Sequence, residues 1–97
     1  MRVVGRELLE DFKKRHADAG SQVDAWLAEA REASWKTPHD VKERYASASV
    51  LKGGVVVFNI RGNRYRLAVR IAYQVQVIRI MAIGTHKEYD AWTFDGR

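Results

Sequence analysis

The hydrophobic period of this chain changes near its middle. Over residues 6–19 apolar side chains recur at helical spacing, with Leu8, Leu9, Phe12 and His16 on one stripe. Gly20 follows, so the pattern predicts one amphipathic helix ended by that glycine. Ser21 opens a second helix, with Asp24 three places on as the capping acid. Its apolar stripe is Val23, Trp26, Leu27 and Ala30, reaching toward Trp35, while Glu29, Arg31 and Glu32 face elsewhere. Thr37-Pro38 is a second start signal, threonine as cap and proline at the first helical position, for a short helix through about Tyr45. Ahead of all three, Val3-Val4 reads as a short edge strand.

After Gly53-Gly54 the period falls to two. Residues 55–60, 64–72 and 75–83 are rich in β-branched side chains and read as three strands. Gly62-Asn63 and Tyr73-Gln74 read as tight turns, and a last short helix begins near Thr85, just past Gly84. Helices followed by an antiparallel meander make an α+β layout in a single domain, residues 1–97. Two-residue loops would pair Arg61 with Arg64, Asn59 with Arg66 and Ala68 with Arg79. Alternation then sorts the side chains onto two faces. Phe58, Ile60, Tyr65, Leu67, Val69, Ile71, Ile78 and Ile80 fall on one, to be packed by Leu8, Phe12, Trp26 and Leu27. Asn59, Arg61, Arg64, Arg66, Arg70 and Arg79 fall on the other, a plane of arginines with Ala68 at its middle.

Charge sharpens that picture. From Arg44 to Lys87 there are eight basic side chains and no acid, whereas residues 1–43 hold eight bases against nine acids. The formal charge of +5 therefore sits in one half of the chain. Clustered arginines repel across strands and present planar forks suited to phosphate oxygens, so nucleic acid is the first candidate partner. Cysteine is absent and the three histidines, His16, His39 and His86, lack metal-ligand spacing. Neither a metal nor another cofactor is expected, and a reducing cytoplasm is the simplest setting. No apolar run approaches the roughly 18–20 residues of a membrane span, and no secretory segment follows Met1.

The candidate chemistry lies past the third strand, in Gly84-Thr85-His86-Lys87-Glu88-Tyr89-Asp90-Ala91-Trp92. It supplies an imidazole, an ammonium, a phenol and an indole beside the basic face. An imidazole moves protons near neutrality, and aromatic rings stack on unpaired bases.

The blocks Asn59-Ile60-Arg61-Gly62-Asn63-Arg64-Tyr65-Arg66-Leu67 and Ile83-Gly84-Thr85-His86-Lys87-Glu88-Tyr89-Asp90 resemble the HigB toxins of type II toxin–antitoxin modules. The resemblance covers the second half almost continuously; the first half agrees in length and pattern. It implies a RelE-like fold: two N-terminal helices on one face of a small antiparallel sheet, a short C-terminal helix, and the other face open to RNA. It implies a metal-independent endoribonuclease that cuts mRNA, typically on the ribosome, and is held off by a HigA-like helix-turn-helix antitoxin. By position, Arg66 matches the strand arginine on the scissile phosphate. His86 falls where relatives carry a basic or imidazole group, and Tyr89 or Trp92 replaces the stacking aromatic. Asn59 stands where some relatives have a lysine proposed as proton acceptor, so the general base stays open. In this reading Arg66 and Arg79 neutralise the transition state, and Arg61, Arg64, Arg70 and Lys87 hold the RNA backbone. Two other readings use the same face: a non-catalytic RNA-binding module, and a structural partner for an acidic protein.

Overall fold

The computed structural model of the chain describes residues 1–94; the last three positions of the expected domain lie outside the described residues. In chain order its elements are β1 (Arg2–Val4), α1 (Glu7–Arg15), a 3-10 turn (Ala17–Ala19), α2 (Gly20–Glu32), α3 (Pro38–Arg44) and β2 (Ser49–Val50). A second 3-10 turn (Lys52–Gly54), β3 (Val55–Ile60), β4 (Tyr65–Ala72), β5 (Val77–Thr85) and α4 (His86–Tyr89) follow. The strands form one sheet in the order β1-β5-β4-β3-β2.

The period-two half folds as the antiparallel meander β3-β4-β5. The whole sheet, however, is mixed, because β1 lies parallel to β5 along its outer edge. Gly5 makes that docking possible. Its backbone has φ +87°, and a Cβ there would stand 3.0 Å from the Ile80 carbonyl oxygen.

Helix boundaries shift where tertiary contacts compete with local signals. α1 stops at His16 (φ −135°), whose ring lies 4.6 Å from that of Phe12 and 5.1 Å from that of Tyr65. Gly20 does not end this helix; it has right-handed φ −55° and begins α2. Asp24 does not cap Ser21 either, since its carboxylate pairs with Lys13 Nζ at 2.6 Å. Thr37 does cap α3, its hydroxyl accepting from the Asp40 N–H at 3.3 Å with Pro38 at the first turn.

One sheet face carries the main core. Val56, Phe58, Ile60, Leu67, Val69, Ile71, Ile78 and Ile80 are buried there with Leu9, Phe12, Val23, Trp26, Ala30 and Val41 from the three helices. The Phe58 ring is the hub, 5.3 Å from Trp26, 5.1 Å from Tyr45 and 6.4 Å from Trp35. Leu8 is left out of the packed stripe, at 38% exposure.

Register decides the other face. Asn59 pairs with Arg66 as expected, but Ile60↔Tyr65 is the last pair of β3 and β4. Arg61 and Arg64 leave the ladder and close the turn, the Arg64 N–H meeting the Arg61 carbonyl at 3.1 Å, with φ +54° at Arg61 and +64° at Gly62. Between β4 and β5 the expected Ala68↔Arg79 pair is replaced by Arg70↔Arg79. That slip is even-numbered, so the faces survive it. A bulge at Ala68/Val69 then lets Met81 stand extra, bringing Ala82 opposite Ala68 and Gly84 opposite Arg66.

Candidate active site

The second face is not the open arginine plane that the pattern predicts. Val55, Val57 and Ala68 are buried on it under Leu51, Met81, Tyr89, Trp92 and Phe94, a second small core roofed by the C-terminal segment. Past the bulge β5 ends at Thr85, and the chain folds back so that Tyr89, Trp92 and Phe94 pack over this face. The α4 helix is fixed there by a capping box. Thr85 Oγ1 accepts from the Glu88 N–H at 3.1 Å, and Glu88 Oε1 accepts from the Thr85 N–H at 2.8 Å. That N–H, against the cost of desolvation, holds the Glu88 carboxyl below its ordinary value, aided by the Thr85 hydroxyl, by Arg15 of α1 and by His16 just past it. The Thr-x-x-Glu spacing was a readable signal for this box.

What the end of the face gathers is compact. Arg66 lies under the roof at 9% exposure, its guanidinium carbon 5.7 Å from the centre of the Tyr89 ring. Its Nη1 donates to the carbonyls of Asn63 (3.0 Å) and Tyr65 (3.4 Å). No hydrogen bond among the described residues uses its Nε or Nη2. His86, exposed at the start of α4, has its ring 6.5 Å from that of Tyr89, and its backbone N–H donates to the Arg64 carbonyl at 3.2 Å. Lys87 is exposed beside it. Trp92 packs edge-on to Tyr89 at 5.6 Å and covers Gly84, so its indole belongs to the roof. A small concavity of about 200 Å³ remains among Leu51, Tyr89, Asp90, Trp92 and Phe94.

The other expected residues lie apart from that group. Asn59 is the cross-strand neighbour of Arg66, but its Nδ2 donates to the Ser47 carbonyl at 3.2 Å, toward the β2 edge. Arg70 and Arg79 share the face, four strand positions beyond Arg66. At roughly 3.3 Å per residue their backbone positions stand about 13 Å along the strand from that of Arg66. Arg61 and Arg64 are on the helix side. The turn carries both toward Asp18, whose Oδ2 lies 3.7 Å from Arg61 Nε and 3.5 Å from Arg64 Nη1. The same carboxylate accepts from the Tyr65 hydroxyl at 2.8 and 2.9 Å. That hydroxyl, with help from both guanidinium groups, holds Asp18 below the usual carboxyl range, and Asp18 together with burial pushes the Tyr65 phenol up. Asp18 did not stand out in the sequence, because it lies in an otherwise ordinary helix-loop pattern, and Tyr65 was read there as a residue of the apolar face.

Among the described residues no group of three or more His, Cys, Asp or Glu could hold a metal ion. No helix among them is long and apolar enough to cross a membrane. Comparison with known proteins adds the family context. Residues 19–92 match the HigB toxin family, described as the RelE-like toxic component of a toxin–antitoxin system. The mRNA interferase toxin HigB of Escherichia coli (strain K12) is 25% identical over 95 residues, 96% of this chain and 91% of that protein. The mRNA interferase HigB of Shigella flexneri matches to the same extent.

Proposed function

Because the chain belongs to the HigB family of RelE-like toxins, we propose that it is the toxin of a type II toxin–antitoxin pair and an endoribonuclease that cleaves mRNA. The observation that carries this reading is the meeting of Arg66, His86 and Tyr89 at one end of the second face. A guanidinium and an imidazole on either side of the same phenol ring support the assignment of a phosphate contact, a proton carrier and a stacking ring to these three residues. The relatives named mRNA interferases support the substrate class. Ribosome-bound message is the proposed substrate, and a HigA-like antitoxin the proposed partner.

The reaction needs only side chains. The 2′-oxygen of one nucleotide attacks the adjacent phosphorus, the bond from phosphorus to the 5′-oxygen breaks, and the products are a 2′,3′-cyclic phosphate and a 5′-hydroxyl. One proton leaves the 2′-hydroxyl and one arrives on the 5′-oxygen; the His86 imidazole carries one of them. Arg66 neutralises charge gathering on the phosphoryl oxygens, and its partly buried setting strengthens that interaction. Tyr89 takes the stacked base, with Trp92 and Phe94 bracing it from behind. Asn59, with an amide that does not accept protons at working pH, supplies a polar contact. Arg70, Arg79 and Lys87 hold phosphates farther along the RNA.

Brief induction followed by sequencing of RNA 5′ ends tests the reading. Wild-type protein should create ends inside translated codons, and His86→Ala should lower the rate by about 10²–10⁴-fold. An RNA carrying a 2′-deoxy residue at the cut site should be inert. Cleavage of that substrate, or no new ends with the wild type, would exclude the proposed chemistry.

A further inference from the structure

The groups that perform the proposed reaction are held by the backbone of the β3–β4 hairpin. The Asn63 and Tyr65 carbonyls grip Arg66 Nη1, and the Arg64 carbonyl accepts from the His86 backbone N–H. The hairpin in turn is anchored at the connection between α1 and α2. Asp18 receives the Tyr65 hydroxyl on both carboxylate oxygens and faces Arg61 and Arg64, while the Gln22 side-chain oxygen accepts from the Arg61 N–H. The tie crosses 47 positions of sequence, from the helical half to the sheet half. The anchoring matters because Arg61 and Gly62 both have positive φ, so the turn adopts a conformation that an arginine rarely holds unaided.

Resting on the ribonuclease reading, we infer that Asp18 is a positioning residue that latches the hairpin and so sets Arg66 and His86, while drawing Arg61 and Arg64 away from the RNA. These two effects act on different kinetic quantities. Loosening the hairpin misplaces the groups that touch the scissile phosphate and lowers kcat. Releasing two guanidinium groups adds cations free to meet phosphates, which tightens RNA binding and steepens its salt dependence. A purely structural role would instead reduce the folded fraction and leave KM and the salt slope unchanged.

The experiment compares wild type, Asp18→Asn, Asp18→Glu and Tyr65→Phe in steady-state cleavage. In parallel it measures their binding to a 2′-deoxy-blocked RNA across a salt series, with circular dichroism to confirm folding. Asp18→Asn should lose about 10- to 100-fold in kcat, with a lower KM and a salt slope steeper by up to about two. Asp18→Glu keeps the carboxylate and should recover part of kcat. Tyr65→Phe retains the ring packing on Phe12 and His16 and the ion pairs, so it should lower kcat with KM unchanged. Wild-type kcat in folded Asp18→Asn, or a loss of kcat with unchanged KM and salt slope, overturns the latch. If Asp18→Asn does not fold, full kcat in Tyr65→Phe overturns it. Absence of cleavage by the wild type sinks the ribonuclease reading instead; the binding series then still decides whether Asp18 restrains the two arginines.

Discussion

Replacing Gly84 with alanine separates the stability of this fold from the geometry of its site. Gly84 lies opposite Arg66 at the end of β5, and its requirement is space. A Cβ there would stand 2.6 Å from Glu88 Oε1 and 3.1 Å from Trp92 Cζ2. The first distance is too short, so the Glu88 carboxylate must move, at most giving up its bond to the Thr85 N–H, one half of the capping box. Losing such a cap costs about 0.5–2 kcal/mol. Removing glycine's freedom in the unfolded chain returns about 0.4–1 kcal/mol. The net runs from a gain of about 0.5 to a loss of about 1.6 kcal/mol, and in a domain of this size each kcal/mol moves Tm by about 4–8 °C. Thermal melts should therefore show a fall of no more than about 13 °C. Cleavage should be more sensitive than stability, because the Glu88 side chain that holds the start of α4 and the Trp92 ring packed on Tyr89 must both shift; a misplacement near 1 Å at the reacting groups costs about 10²-fold. Trp92 also shifts, which tryptophan emission reports. Gly20→Ala is the control, since nothing lies within 4 Å of a Cβ there and its backbone is already helical. Wild-type cleavage and unchanged emission in Gly84→Ala would refute the idea that the roof packed on Gly84 sets the site.

Two further expectations concern charge. Arg79 is exposed and assigned to a phosphate farther along the RNA, so Arg79→Ala should leave kcat at the wild-type value while the salt slope of RNA binding falls by about one; a large kcat loss would place Arg79 at the reacting phosphate instead. Acid should weaken the fold through Asp18 and Glu88, both held below their ordinary values by hydrogen-bond donors. Carboxyls depressed in the folded state stabilise fully above their unfolded values, near about 3.9 and 4.3, and lose that contribution as pH falls through the folded values. Denaturant titrations from about pH 6 down to about pH 2 should show a shallower decline in Asp18→Asn than in wild type, and identical declines would remove Asp18 from the acid response.

The pattern of residues by itself determined much of this protein. The change of period from 3.6 to two located the helices and the three long strands, because burial on one side must repeat with the backbone's own geometry. It also placed Phe58, Leu67, Val69, Ile78 and their neighbours in the core, and Arg66 with Arg79 on the opposite face. An error of two in the β4–β5 register did no harm to that sorting, since strand side chains alternate. Tertiary structure decided what lies outside any local period. The parallel edge strand β1, the Met81 bulge and the fold-back of α4 depend on contacts between distant segments. So does the capture of Arg61 and Arg64 by Asp18, which moved two arginines to the far side of the sheet. A turn residue has no face until something across space claims it, and here a carboxylate 43 and 46 positions earlier does so.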